Sequence, residues 1–233
     1  MARPALIAVL LNPAWITETR LYKYISEAIS TLKIEPGDKW LDVGCGSRPY
    51  ESLFPCGTYI GVDVAVSGRP AGMKVPDFFY DGQVLPFDDK SVDGVLCTQV
   101  LEHVRNPDML LSEIHRVLNQ GGVLILSAPF LWEEHEEPYD FLRFTSFGFR
   151  ELLMRANFEV ISIQKTTGSL ETVAQMLSVY VVNNLSLPIR GCKKILAFFV
   201  CCPIQLVGML LQRLLPDQKK LFLDCVIMAR RKM

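Results

Sequence analysis

The sequence predicts an α/β fold in which short buried strands alternate with amphipathic helices. Three observations carry this. Trp40, Leu41 and Val43 form an apolar run that ends in Gly44-Cys45-Gly46, a strand followed by a turn where backbone can come close to a ligand. A second run, Tyr59-Ile60-Gly61-Val62, ends in Asp63, close to the ~20-residue offset at which an acidic group meets a ribose hydroxyl pair. Val92 to Thr98 is apolar with little alternation, as expected of a parallel strand buried on both faces.

The remaining elements follow in order. Between Thr17 and Leu32 the positions Leu21, Tyr24, Ile25, Ala28, Ile29 and Leu32 share one helical face, and Glu35-Pro36-Gly37-Asp38 stops the helix. An apolar segment ends at Phe78-Phe79-Tyr80 before Asp81-Gly82. Asn106 supplies a helix cap with Pro107 in the first turn; Met109, Leu110, Ile114, Val117 and Leu118 form the buried face, which leaves His115 toward solvent. Gly121-Gly122 is expected to end that helix and open a strand from Val123 to Ser127. Thr145 caps a further helix. Glu159 to Lys165 and Leu221 to Arg230 read as strands, separated by an insertion over 168–219 that holds Ala174 to Val182 and Ile195 to Leu211.

Composition narrows the function. At 233 residues the chain is long enough for a single domain, taken as 1–233 with 168–219 as a helical embellishment. With 24 basic and 25 acidic residues there is no basic excess, which argues against a nucleic-acid substrate. The seven cysteines contain no Cys-x-x-Cys pair, so reduced thiols in cytoplasm are expected. Ala5 to Leu11 is apolar but too short for a secretory signal.

Several bound nucleosides are compatible with the glycine turn. A dinucleotide fingerprint needs a third glycine where Pro49 stands, and a phosphate-cradling loop needs Gly-Lys-Ser/Thr, which does not follow. A nucleoside without phosphates, carrying a charged amino-acid tail, remains. Here the sequence resembles the class I S-adenosylmethionine-dependent methyltransferases. The resemblance runs through Leu41-Asp42-Val43-Gly44-Cys45-Gly46, Gly61-Val62-Asp63, Asp81-Gly82 before Leu85-Pro86-Phe87, Val100-Leu101-Glu102-His103-Val104, and Arg116-Val117-Leu118 before Gly121-Gly122.

That resemblance implies a three-layer, Rossmann-like, seven-stranded and mostly parallel sheet with helices on both faces, the last two strands forming an antiparallel hairpin. The apolar helical insertion before the last strand departs from the simplest family pattern. S-adenosyl-L-methionine is the implied cofactor. Asp42, Gly44, Cys45 and Gly46 would line its methionine end, Asp63 and Val64 the ribose, Asp81 and Gly82 the adenine, and Gln99 the loop beneath the reacting methyl. Asp81-Gly82 is also an ordinary turn dipeptide.

Leu131 to Phe144 is a polar-aromatic loop with five acidic residues, expected to wall the acceptor site through Trp132, Tyr139, Asp140 and Arg143. Those last three would serve equally as a salt-bridged anchor. His135, and after it His103, are the candidate bases for a hydroxyl acceptor. Three dispersed histidines give no zinc spacing, so no metal site is expected.

The expected activity is methyl transfer to a small-molecule or lipid-like acceptor, with oxygen slightly favoured; no Asn/Asp-Pro-Pro-Tyr/Phe motif follows the fourth strand, which weakens amino-group methylation. The alternatives are a catalytically silent relative that binds the cofactor or a protein, and a nicotinamide oxidoreductase. In Ile195 to Leu211, 14 of 17 residues are hydrophobic. This predicts a layer over 170–217 lying on a membrane, with Arg190, Lys193 and Lys194 at the headgroups. Acceptor identity and oligomeric state are left open by the sequence.

Overall fold

The computed structural model describes residues 12–55, 57–68, 72, 74–185 and 191–232. Ala5 to Leu11 and Arg190, which figured in the sequence expectations, lie outside the described residues. The chain divides into two compact units, one of Tyr24–Gln164 with Cys225–Met233, the other of Met1–Lys23 with Lys165–Asp224.

The first unit holds the sheet. Its strands are β1 (Lys39–Val43), β2 (Thr58–Val64), β3 (Phe78–Tyr80), β4 (Val92–Thr98), β5 (Leu118–Pro129), β6 (Phe158–Lys165) and β7 (Asp224–Arg231), in the order β3-β2-β1-β4-β5-β7-β6. Parallel pairings join β1 to β2 and to β4, β2 to β3, and β4 to β5. Bonds from Thr166 N–H to the Asp224 carbonyl and from Lys232 N–H to the Asn157 carbonyl make β6 and β7 antiparallel. The predicted seven-stranded, mostly parallel Rossmann-like sheet is therefore present. Strand order reverses between β1 and β4, and open α/β sheets bind ligands at the carboxyl ends of strands at such a point.

Burial explains the apolar runs. Leu41 and Val43 of β1, and Val92, Val95, Leu96 and Cys97 of β4, are fully buried, as internal parallel strands require. The Trp40 ring packs in a tilted arrangement on Phe54, centroids 4.7 Å apart, and the Phe54 ring lies 5.0 Å from that of Tyr59.

Helix α1 (Trp15–Ser30) buries Ile16, Leu21, Ile25 and Ile29. Helix α2 (Pro107–Val117) starts where the Asn106 side chain accepts the Met109 N–H at 3.2 Å, and α3 (Ser146–Arg155) where Thr145 accepts the Gly148 N–H at 3.0 Å. Three local expectations need correction. Helix α2 ends at Val117 and β5 begins at Leu118, which pairs with Val92, so Gly121-Gly122 sits within the strand beside a register shift. His115 is only partly solvent-facing, since one side of its ring packs edge-on to Phe158 at 5.4 Å. Met109 is 40% exposed rather than buried, and borders the cavity described below.

The second unit is mainly helical. Helix α4 (Ser169–Leu185) packs on a continuous 23-residue helix, Cys192–Leu214, made of α5 (Cys192–Leu196), a π-helical turn (Ala197–Cys201) and α6 (Cys202–Leu214). A Cβ at Gly208 would fall 2.4 Å from the Ala174 Cβ, so the two helices touch nearly backbone to backbone there. The buried amides of Gln175 and Gln205 both donate to the Pro13 carbonyl, at 2.7 and 2.6 Å, and buried Glu171 pairs with Arg20. The two amide oxygens are buried without a hydrogen-bond partner among the described residues, while Val173, Leu177, Tyr180, Ile195, Phe199, Leu206, Val207, Leu210 and Leu214 remain exposed.

The Gly208–Ala174 contact sets a stability prediction. Gly208→Val should destabilise by about 1–3 kcal/mol through overpacking, while the exposed Leu210→Ser stays within about 0.5 kcal/mol of the parent. Urea denaturation measures both, and a tolerated valine would contradict the close crossing.

Candidate active site

The turn after β1 is built from left-handed glycines. Gly44 has φ +72° and Gly46 φ +50°, and a Cβ at Gly44 would lie 2.3 Å from the Val100 side chain, so only glycine fits. Gly44 N–H and Cys45 N–H both reach the Val62 carbonyl, at 2.8 and 3.1 Å, and Gly46 N–H donates to Asp63 Oδ2 at 3.0 Å. The other Asp63 oxygen accepts the Val64 N–H at 2.7 Å and meets the Lys74 ammonium at 3.1 Å. Lys74 also donates to the Val64 carbonyl at 2.7 Å, and its side chain is only 2% exposed.

Asp42 lies beneath this turn. Its Oδ2 accepts the Tyr59 hydroxyl at 2.6 Å, whereas its Oδ1 is buried with no hydrogen-bond partner among the described residues. Burial pushes its carboxyl up from 3.8 to about 7. Burial also pushes the Cys45 thiol up to about 12, so it stays protonated and is no nucleophile.

A cavity of about 430 Å³, the size of a small-ligand site, opens at this sheet edge. Of the sequence-predicted residues, Gly44, Asp63, Val64, Gly82, Gln99, His103 and Tyr139 line it. Asp42, Cys45 and Gly46 support the wall from behind. Asp81 is off the wall: its exposed carboxylate accepts the Gln83 and Val84 N–H groups at 2.8 and 2.9 Å, bonds that hold its pKa down and make it a turn former. Gly82 and Gln83 line the cavity in its place.

The wall also contains Glu136 and Phe141, from the loop expected to wall the acceptor site, and Lys74, Tyr80 and Arg105, which were not among the sequence-predicted site residues. Arg105 stacks over the Phe141 ring at 4.4 Å. Lys74 left one trace in sequence, an isolated cation in the otherwise uncharged stretch Ala71-Gly72-Met73-Lys74-Val75-Pro76. Gln99, at φ +54°, is held by its N–H to the Ser127 carbonyl at 2.9 Å and by its amide to Ser127 Oγ at 3.2 Å.

The loop from Leu131 to Phe144 supplies anchors as well as wall. Arg143 makes two bonds to Asp140 at 2.5 and 2.6 Å, and these hold the Asp140 carboxyl down at about 2. Asp140 also accepts the His135 N–H at 3.0 Å and lies 3.1 Å from His135 Nδ1. Phe141 and Leu142 N–H both donate to the Glu102 carbonyl, at 2.8 and 3.2 Å, tying the loop to the end of β4. Trp132, His135, Asp140 and Arg143 are all off the cavity wall, while Tyr139 is on it.

The imidazole that faces the cavity is therefore His103. Its Nδ1 is 2.8 Å from the Tyr139 carbonyl, which can only accept, so Nδ1 carries the proton and Nε2 the lone pair of the neutral ring. Desolvation by burial lowers the His103 pKa, which favours that neutral form. His135 stands behind it, ring centroids 4.9 Å apart.

Residues 41–126 match the family model described as a methyltransferase domain. Over 142 residues the chain is 32% identical to the demethylmenaquinone methyltransferase of Symbiobacterium thermophilum, covering 54% of this chain and 53% of that one. The chain spans about a third to three-fifths of the length of the curated relatives it matches. A solved complex of the Haloferax volcanii Trm112 methyltransferase activator with its candidate methyltransferase superposes with TM-score 0.59 at 20% identity, over 93% of this chain and 91% of that one. The Haemonchus contortus phosphoethanolamine N-methyltransferase 2 bound to S-adenosyl-L-methionine superposes with TM-score 0.56 at 16% identity, over 95% and 58%. These two likenesses establish the fold.

Asp42 yields a pH prediction. Its folded pKa is about 7 against 3.8 ordinarily, so the folded chain holds a proton that the unfolded chain has released. The resulting stability is full below about pH 4 and is lost as pH rises through about 7. Asp42→Asn should flatten the melting temperature between pH 4 and 7, as followed by differential scanning fluorimetry. An unaltered slope would contradict the burial assigned to Asp42.

Proposed function

Because residues 41–126 match the methyltransferase-domain family model, we propose that the chain transfers a methyl group from S-adenosyl-L-methionine to a small-molecule or lipid-like acceptor, with oxygen the favoured accepting atom. The observation that carries this is a single cavity wall that brings together the Gly44 turn, Asp63 and His103. A buried, unpartnered Asp42 Oδ1 beneath the turn suits the ammonium of an amino-acid tail. Asp63 suits a ribose hydroxyl pair, with Lys74 sharing its second oxygen. Tyr80, Gly82 and Gln83 would wall the adenine.

The bound cofactor supplies a methyl carbon already activated by its sulfonium, with a neutral thioether as leaving group. Protein groups then have two tasks. One is to hold an acceptor in line with the methyl, for which Tyr139, Phe141 and Arg105 are placed on the wall. The other is to take the acceptor's hydroxyl proton, for which His103 and Glu136 are the acceptors on that wall.

The helical unit supports a second part of the proposal, a cytoplasmic protein lying on the inner face of a membrane. Residues 191–220 carry Lys193, Lys194, Arg213, Lys219 and Lys220 against Asp217, five positive charges less one negative, a net +4. An exposed apolar face with this charge matches an anionic bilayer surface. Both ends of the insertion join strands of one sheet, which disfavours a single crossing although Cys192–Leu214 is long and apolar enough for one. In vesicle flotation the intact chain should rise with anionic liposomes, and a Phe199→Ser, Leu206→Ser, Leu210→Ser variant should stay behind. Identical behaviour of the two would rule out this surface.

Isothermal titration tests the cofactor. S-adenosylmethionine or S-adenosylhomocysteine should bind with micromolar Kd, and Asp63→Ala should cost about 1.5–3 kcal/mol, the range for hydrogen bonds to a charged group. Tight NAD binding without either would sink the assignment.

A further inference from the structure

His103 Nε2 is buried and has no hydrogen-bond partner among the described residues. With Nδ1 committed to the Tyr139 carbonyl, Nε2 presents a lone pair. Two carboxylates converge on that same atom, Glu102 Oε1 at 3.9 Å and Glu136 Oε1 at 4.0 Å. Glu102 is fully buried. A buried imidazole lone pair beside two carboxyl groups is an arrangement that a metal cation would bridge.

His135 completes the set. Glu102, His103 and His135 can each offer one donor atom with all three within 4.8 Å of one another. Both imidazoles are oriented as ligands are. His103 Nδ1 is held by the Tyr139 carbonyl at 2.8 Å, and His135 Nδ1 by the Glu133 carbonyl at 3.3 Å with the Asp140 carboxylate 3.1 Å away, which leaves each Nε2 available to an ion. Metal-binding histidines are fixed in this way by acceptors on their other nitrogen. Asp140 is in turn clamped by Arg143, so its charge is already matched.

We infer that Glu102, His103 and His135 form a binding site for a divalent transition-metal ion at the edge of the cofactor cavity. Two imidazoles and one carboxylate suit zinc, iron(II), manganese(II) or cobalt(II) better than magnesium, which prefers an all-oxygen shell. Donors around an ion at about 2.1 Å lie roughly 3–3.5 Å apart, so small side-chain rotations would close the present set. Three protein ligands leave positions open.

The chemical consequence rests on the methyl-transfer reading of the same cavity. A hydroxyl of the acceptor would take an open position, and the ion would lower its pKa. Its proton passes to the Glu136 carboxylate, the acceptor oxygen forms the new O–CH3 bond, and the carbon–sulfur electron pair leaves with the neutral thioether. The acceptor class is then an alcohol, phenol or enol able to coordinate a metal.

The test is metal content and affinity, read without turnover. Tag-free full-length protein, dialysed and then reconstituted separately with zinc, manganese(II), iron(II) and cobalt(II), should retain about one equivalent of at least one of them by plasma mass spectrometry. The cobalt form should show d–d absorption altered by His103→Gln. His135→Gln and Glu102→Gln should each lower retention at least tenfold, and Asp140→Asn about 10–100-fold, the cost of losing an orienting partner. Circular dichroism and S-adenosylmethionine binding are run on every variant, and His135→Gln, which is partly exposed, guards against misfolding of the Glu102 variant. Protein that binds S-adenosylmethionine yet retains no metal under any reconstitution overturns the site while leaving the methyl-transfer reading standing. Metal retained equally by the parent and by folded His103→Gln and His135→Gln variants overturns it as well.

Discussion

The site depends on the junction between the glycine turn and the end of β2. Gly44 and Cys45 N–H groups share the Val62 carbonyl, and Gly46 N–H is fixed by the Asp63 carboxylate. This requires two left-handed residues in three and no side chain against Val100. Once the turn is held, Asp63 cannot rotate away without releasing it. One carboxylate therefore both shapes the loop and stands on the cavity wall. Asp42 and Cys45, though off the wall, are kept neutral or near-neutral by burial and give the turn a rigid floor.

A second junction closes the other side. Helix α2 follows β4 through the Leu101–His103 turn, and the Leu131–Phe144 loop returns to that turn through the Glu102 carbonyl and the Tyr139–His103 bond. Asp140 and Arg143 lock the loop by pairing with each other, which is why neither reaches the cavity. The loop residues that line the cavity are those between the anchors, Glu136, Tyr139 and Phe141.

Much of this was legible in the chain. Apolar runs marked β1, β2 and β4 because internal parallel strands admit little else, and Asn106 and Thr145 announced helix starts because uncapped N–H groups need an acceptor. What escaped was set by tertiary contact. Lys74 is buried only because Asp63 is there to pair with it. The dipeptide Asp81-Gly82 fits an adenine contact and a turn equally well in sequence, and the bonds to Gln83 and Val84 show the turn. Glu102, His103 and His135 span a gap no ligand-spacing rule covers, since it is a loop folding back on β4 that joins them. In the helical unit, hydropathy showed an apolar segment, but not that Gly208 and Gln205 mark its inward face.

The central claim is that the Gly44 turn and Asp63 hold S-adenosylmethionine with its reacting end toward His103. A crystal structure of the chain with S-adenosylhomocysteine tests it most directly. The account predicts ribose hydroxyls on the Asp63 carboxylate, the amino-acid tail over the Gly44–Gly46 turn, and the sulfur on the His103 side of the cavity. Density for the ligand in another part of the molecule, or in this cavity with the adenine against His103, would contradict it.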